Sequence, residues 1–221
     1  MKNAILIFAI VFGFSTFNTA SAQAETKDLN KSLRKELKSK AIRKARKESK
    51  DLTKEGYFVA PGALPLDMQL ERAWIRQLQT DDNGYPEYIV STGIAVGESQ
   101  IAAKTQAVEA AKLELAGTIA NNIAAMIENN IANQQLTPEE AASVTKTVAA
   151  SKNVIAQELG RVIPMVEVYR KVSNSIEVSV RVAYDSKLAL SQAKNTIRQQ
   201  LEGESKALQE KLDKLMEFDT L

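Results

Sequence analysis

Cysteine and histidine are both missing from this 221-residue chain. Without a thiol there is no disulfide, no iron–sulfur cluster and no Cys nucleophile. Without an imidazole there is no Ser-His-Asp triad, no His general base and no His ligand for zinc or haem. Aromatic residues are scarce, at 5%, so few rings are available to stack on sugars or bases. No G-x-S-x-G elbow or phosphate-binding loop occurs. Ser151-Lys152 and Ser205-Lys206 are adjacent pairs, not a spaced nucleophile motif. Two carboxylate pairs remain, Asp81-Asp82 and Glu139-Glu140, but both fall in turn or helix-cap signals. A carboxylate-dependent hydrolase is therefore the enzyme class that survives these exclusions. The expectation is a chain that is not an enzyme, with no catalytic, metal or cofactor site.

Long hydrophobic runs are also missing. The longest is near the start, where Met1-Lys2-Asn3 leads into an apolar run over residues 4–14. A bilayer span needs about 18 or more such residues. A short basic start, an apolar core and an Ala-x-Ala site describe a secretory signal peptide. Two sites compete, Ala20-Ser21-Ala22 and Ala22-Gln23-Ala24, so cleavage is expected after Ala22 or Ala24. Residues 1–24 thus read as a bacterial export signal, and the rest as periplasmic or secreted. A chain without Cys has no thiol for lipid attachment, and it suits a compartment that oxidises stray thiols.

What is present is a division of charge. Residues 25–55 carry twelve Lys/Arg against six Asp/Glu, whereas residues 56–221 carry sixteen against twenty-one. The basic block has no Pro or Gly, and Leu29, Leu33, Leu37, Ala41, Ala45 and Leu52 recur mostly every fourth residue. That spacing predicts a helix with a narrow apolar stripe. Its charge admits an anionic envelope surface as a partner. Export argues against nucleic acid.

Residues 56–65 hold Gly56, Pro61, Gly62 and Pro65 and read as a linker. A helical pattern resumes at Leu66, Leu70, Ala73, Trp74 and Leu78. Asp81-Asp82-Asn83-Gly84 reads as a turn. As a calcium loop it would need ligands at Gln79 and Val90. Tyr88, Val90, Thr92, Ile94 and Val96 alternate with Ile89, Ser91, Gly93, Ala95 and Gly97, one side bulky and the other mostly small, which predicts a strand with one packed face and the other closely approached or exposed. An Ala-rich helix follows, with the stripe Ile101, Val108, Leu115, Ile119, Ile123, Met126 and Ile127. Thr137-Pro138-Glu139-Glu140 opens another helix, through Val144, Val148, Ile155 and Leu159 to Gly160.

Two more strands contain Val166, Val168, Arg170, Val172 and then Ile176, Val178, Val180, Val182, Tyr184, joined at Ser173-Asn174. One apolar face per strand predicts an antiparallel sheet covered on one side. Residues 186–221 read as a helix whose end is acidic, with six acids against three bases over residues 202–221. Its Leu201, Leu208 and Leu215 could pair with Leu29, Leu33 and Leu37. The expected fold is α+β: a β-α-α-β-β three-stranded antiparallel sheet on a long helix, spanning residues 66–185, flanked by charged N- and C-terminal helices.

Residues 88–95 (Tyr-Ile-Val-Ser-Thr-Gly-Ile-Ala), the run Ala102-Ala103-Lys104, Ala107, Ala110-Ala111-Lys112-Leu113-Glu114-Leu115-Ala116, and the hairpin Val168-Tyr169-Arg170-Lys171 with residues 178–184 carry a resemblance. Together they resemble the LPP-twenty-like family of bacterial envelope lipoproteins, to which the N-terminal domain of flagellar assembly protein T is related. The match covers about residues 84–185. It implies a dodecin-like layer and an envelope role, and it brings no catalytic residue. The lipidated Cys of that family is absent, and the helix over residues 138–159 is additional.

The expected function is therefore an exported, non-enzymatic cell-envelope protein acting as an interaction or structural module. It would meet a protein partner or a second copy through its terminal helices. The alternatives are a small-ligand or glycan binder using the small-residue face Gly93-Ala95-Gly97, and the carboxylate hydrolase. Trp74 as a glycan platform and Tyr169-Arg170-Lys171 as an anion site are the candidate binding features.

Overall fold

A computed structural model describes residues 19–132, 136–200 and 210. Its elements are α1 (Thr19–Lys54), α2 (Leu66–Leu78), β1 (Tyr88–Gly97), α3 (Gln100–Ala132), α4 (Pro138–Glu158), β2 (Ile163–Val172), β3 (Ser175–Asp185) and α5 (Ser186–Gln200). The chain divides into two units between Glu36 and Leu37, within α1. In the first, helix begins at Thr19 and passes through both Ala22 and Ala24. Residues 1–18 lie outside the described residues, as do Ser205-Lys206 and the leucines Leu201, Leu208 and Leu215. The second unit, residues 37–221, holds the sheet.

The fold is α+β, with three antiparallel strands in the order β1-β3-β2. β3 is central because its alternation is the cleanest: Val178, Val180 and Val182 are fully buried on one face. The β2–β3 hairpin turns at Ser173-Asn174, with Ser173 at φ 53°. α3 lies along β1 and β3. Its buried stripe is Ala103, Ala107, Ala111, Leu115, Ile119, Ile123 and Ile127, an unbroken repeat of four. α4 and α5 complete this core with Val144, Val148, Ile155, Ala189, Ala193 and Ile197. The α4 start is capped as expected. Thr137 accepts from the Glu140 N–H, and Glu140 returns a bond to the Thr137 N–H at 2.9 Å. At its C-terminal end Gly160 adopts φ 58°, a left-handed conformation that favours glycine.

Two expectations are sharpened or corrected. In β1 the small face is the closely approached one and is buried: Ser91 and Gly93 are buried, whereas Ile94 and Val96 are exposed. Correspondingly, Ile101 is 80% exposed, and α3 turns its alanines to the sheet. The reason is close approach. A Cβ on Gly93 would stand 2.0 Å from Ala107 O, and one on Gly97 3.0 Å from Ala103 N. Glycine opposite alanine lets a helix backbone settle onto a strand.

The second correction is that the sheet's other face is also covered. Val166 and Val168 are buried there with Ala45, Tyr57, Leu70 and Ala73, and Leu52, Val59, Leu66, Trp74 and Met165 pack against them. The later part of the basic helix is thus a layer of the body, with Ala41 and Ala45 buried as the stripe predicts. Residues 56–65 are also tied in. Phe58 exchanges both backbone bonds with Tyr169, and Tyr57 is buried.

Candidate functional site

Strand pairing places Arg170 of β2 opposite Glu177 of β3, on the face toward α1 and α2. Arg170 Nη2 donates to both carboxylate oxygens of Glu177, at 2.8 and 3.0 Å. Tyr57, just past the end of α1, donates its hydroxyl to the same carboxylate. The guanidinium carbon stands 4.7 Å from the centre of the Tyr57 ring. Desolvation, and then the bond to Glu177, push the Tyr57 hydroxyl up to about 12. The hydroxyl and the guanidinium hold the Glu177 carboxyl below its ordinary value.

A second cluster sits one step along the same face. Glu48 of α1 accepts from Arg181 of β3 and, at 2.7 Å, from Trp74 Nε1 of α2. Lys44 Nζ lies 4.0 Å from the centre of the Trp74 ring. The third cluster is on the α3 side. Tyr169 donates its hydroxyl to Glu167, which pairs with Lys104 of α3 at 2.8 Å. Desolvation and the Glu167 bond raise the Tyr169 pKa, and the bond to Glu167 raises that of Lys104.

In each cluster a carboxylate is met by one base and one aromatic donor. Such closed networks hold layers together.

The sequence-predicted features are therefore dispersed. Tyr169 and Arg170 point to opposite faces, as neighbours on a strand must, and each is engaged by its own glutamate. Trp74 is part of the α1–α2–sheet contact, with its ring beneath Lys44. The face of Gly93, Ala95 and Gly97 is filled by α3, so a ligand has no room there. Asp81 Oδ1 accepts the N–H groups of Asn83 and Tyr85, at 3.0 and 2.9 Å, forming the expected turn. Glu140 belongs to the helix cap. Ser151 Oγ is buried, 2.7 Å from Thr147 O and 2.6 Å from Gln200 Oε1. Among the described residues no group of three acidic side chains could hold a metal ion.

Gln69 is the residue that sequence reasoning missed. Buried on α2, it donates to Leu64 O at 2.7 Å and accepts the Glu167 N–H at 2.9 Å. A glutamine on a helix flank reads as surface, and nothing local reveals that a strand edge will meet it. Beside it a groove of about 380 Å³ runs between the 60–64 loop, α2 and β2, lined among others by Leu64, Ile163, Met165, Arg72 and Arg76, the Arg76 guanidinium lying 5.0 Å from the centre of the Tyr88 ring. No family model, curated protein or solved structure matches the chain.

Proposed function

We propose that the chain is an exported, non-enzymatic component of the bacterial cell envelope that works as an interaction module. The observation that carries this reading is the distribution of charge on α1. From residue 37 to residue 54, Lys38, Lys40, Arg43, Lys44, Arg46, Lys47, Lys50 and Lys54 all face solvent. The glutamate of this stretch, Glu48, is turned inward onto Arg181 and Trp74. Ala41 and Ala45 are buried on the same helix. The basic surface is thus held on a packed body rather than on a free arm, with Asp51 the exposed acid among its eight bases, and a fixed, strongly basic array attracts and orients an anionic partner. Acidic envelope surfaces and acidic proteins both suit it. The N-terminal export pattern and the resemblance to envelope lipoproteins support the setting. No helix among the described residues is long and apolar enough to cross a membrane.

Two measurements test the reading. Mass spectrometry of the protein from an envelope fraction should find a mature N-terminus at Gln23 or Glu25; an intact Met1 there refutes export. Reversing Lys40, Arg43 and Lys47 to glutamate should abolish salt-sensitive co-sedimentation with envelope material while leaving the far-UV circular dichroism unchanged. Retained binding refutes the role of α1.

The groove favours a second reading, a binder of small anionic ligands through Arg72 and Arg76. Saturable thermal stabilisation by a small carboxylate, lost in Arg72→Ala/Arg76→Ala, would select it.

A further inference from the structure

The sheet has two outer edges, and they are built differently. The β2 edge is closed. Tyr169 exchanges both of its outward backbone bonds with Phe58, at 2.9 and 2.8 Å. The Glu167 N–H is taken by Gln69. Pro164 has no N–H to offer, and Glu167, Arg170 and Lys171 bring charge to the strand. These are the devices by which natural sheets prevent the addition of another strand.

The β1 edge has none of them. Tyr88–Gly97 is ten residues long without a charged residue or a proline. Its ladder runs to β3, and among the described residues no turn or loop backbone is bonded to it. At about 3.3 Å per residue it presents roughly 33 Å of open edge. On the face away from α3, Ile94 and Val96 are 56% and 49% exposed.

We infer that β1 pairs antiparallel with β1 of a second copy of this chain across a two-fold axis, joining two three-stranded sheets into one of six strands. The second copy is the occupant that this edge fits. A two-fold axis presents one patch to itself, and a strand with no charge meets no like-charge repulsion when paired with itself. With the axis at Ile94 that side chain meets its own copy, and Thr92 lies opposite Val96 on both sides. Closure by symmetry also removes an edge that would otherwise recruit chains without limit. The inference goes beyond the proposed function and stands on the sheet alone, wherever the protein resides.

The absence of cysteine makes the test clean. The purified protein should elute with twice its monomer mass by light scattering. Ile94→Lys places like charges across the axis and should weaken dimerisation by at least about tenfold with an unchanged circular dichroism spectrum. Val172→Lys, at an exposed apolar site at the end of β2, should leave it intact. Under mild oxidation Ile94→Cys should yield a covalent dimer and Lys171→Cys should not. A wild-type monomer up to about 100 µM overturns the inference, whether the edge is then free, covered by residues 201–221 or taken by another protein. A dimer indifferent to Ile94→Lys that Ile94→Cys fails to trap overturns it equally.

Discussion

Gly93→Ala tests how α3 sits on the sheet. The new Cβ would stand 2.0 Å from Ala107 O and 2.4 Å from Ala111 N, both backbone atoms of the helix. Non-bonded heavy atoms prefer about 3.5 Å, so α3 must retreat by about 1 Å or more. Overpacking of this kind costs about 1–3 kcal/mol. The retreat also stretches the buried bond from Ser91 Oγ to Ala111 O, now 2.8 Å. An unsatisfied buried hydroxyl costs about 1–3 kcal/mol. Backbone preference works the other way, because alanine is favoured over glycine inside a strand by about 0.5–1 kcal/mol. The net expectation is a loss of about 1–5 kcal/mol, centred near 3, against a typical total stability of about 5–15 kcal/mol. Urea denaturation followed by circular dichroism measures it, with no thiol chemistry to interfere.

Gly117→Ala, on the same helix, is the matched control. Its Cβ would meet only the tip of Lys152, at 3.0–3.1 Å, and a flexible side chain can move. Replacing a mid-helix glycine is worth about 1 kcal/mol, so this variant should gain about 0.5–1 kcal/mol. A Gly93→Ala loss under about 1 kcal/mol, or two shifts of the same sign, would refute the close seating of α3.

Three further outcomes follow from the packing. Val180→Asp should cost several kcal/mol by burying an unpaired carboxylate against α3. Ser179→Asp, half-buried on the opposite face, should cost under about 2 kcal/mol, and equal losses would mean the two faces pack alike. Glu48→Ala should cost about 1–3 kcal/mol by stranding Arg181 and the Trp74 N–H. Trp74 is the only tryptophan, so its fluorescence maximum reports the change directly, and an unmoved spectrum refutes the cluster.

The pH dependence has a definite sign. The folded Tyr57 pKa is raised to about 12 from 10.0, so its contribution is complete below pH 10 and is lost as pH climbs from 10 to 12. Glu177 is lowered, so its contribution is present above the ordinary carboxylate pKa and fades as pH falls toward its folded value. Tyr57→Phe should flatten the alkaline limb in a pH series of melting temperatures, and an unaltered limb would reject the assignment.

Much of the fold was legible because it rests on short-range chemistry. The α4 cap is written in Thr137, Pro138 and Glu140. The β2–β3 hairpin is written in two valine-rich alternations around Ser173-Asn174. The β1 span over residues 88–97 follows from strict alternation, and α2 from the spacing of Leu66, Leu70 and Ala73. In each case the groups that decide the structure lie within four residues of one another, so a local reading contains the whole interaction.

The remainder was decided by partners far apart in the chain. Alternation in β1 separates two faces without saying which is buried. Gly93 and Gly97 chose the small one only because Ala103, Ala107 and Ala111 could descend onto them. The apolar stripe through Ile101 and Val108 was locally as good as the alanine stripe, and lost because larger side chains would have held α3 away from the sheet. Tyr169-Arg170-Lys171 looked like one basic cluster, yet strand geometry sends neighbours to opposite faces, and Glu167 and Glu177 claimed one each. Gln69 closing a strand edge, and Glu48 binding α1 to Trp74 and Arg181, join residues 98, 26 and 133 positions apart. Amino-acid types and spacing determined the elements, the basic stretch and the chemistry that is missing. Which faces meet, which strand is central and which edge stays open were settled only when the layers packed, because burial and close approach depend on what arrives from elsewhere in the chain.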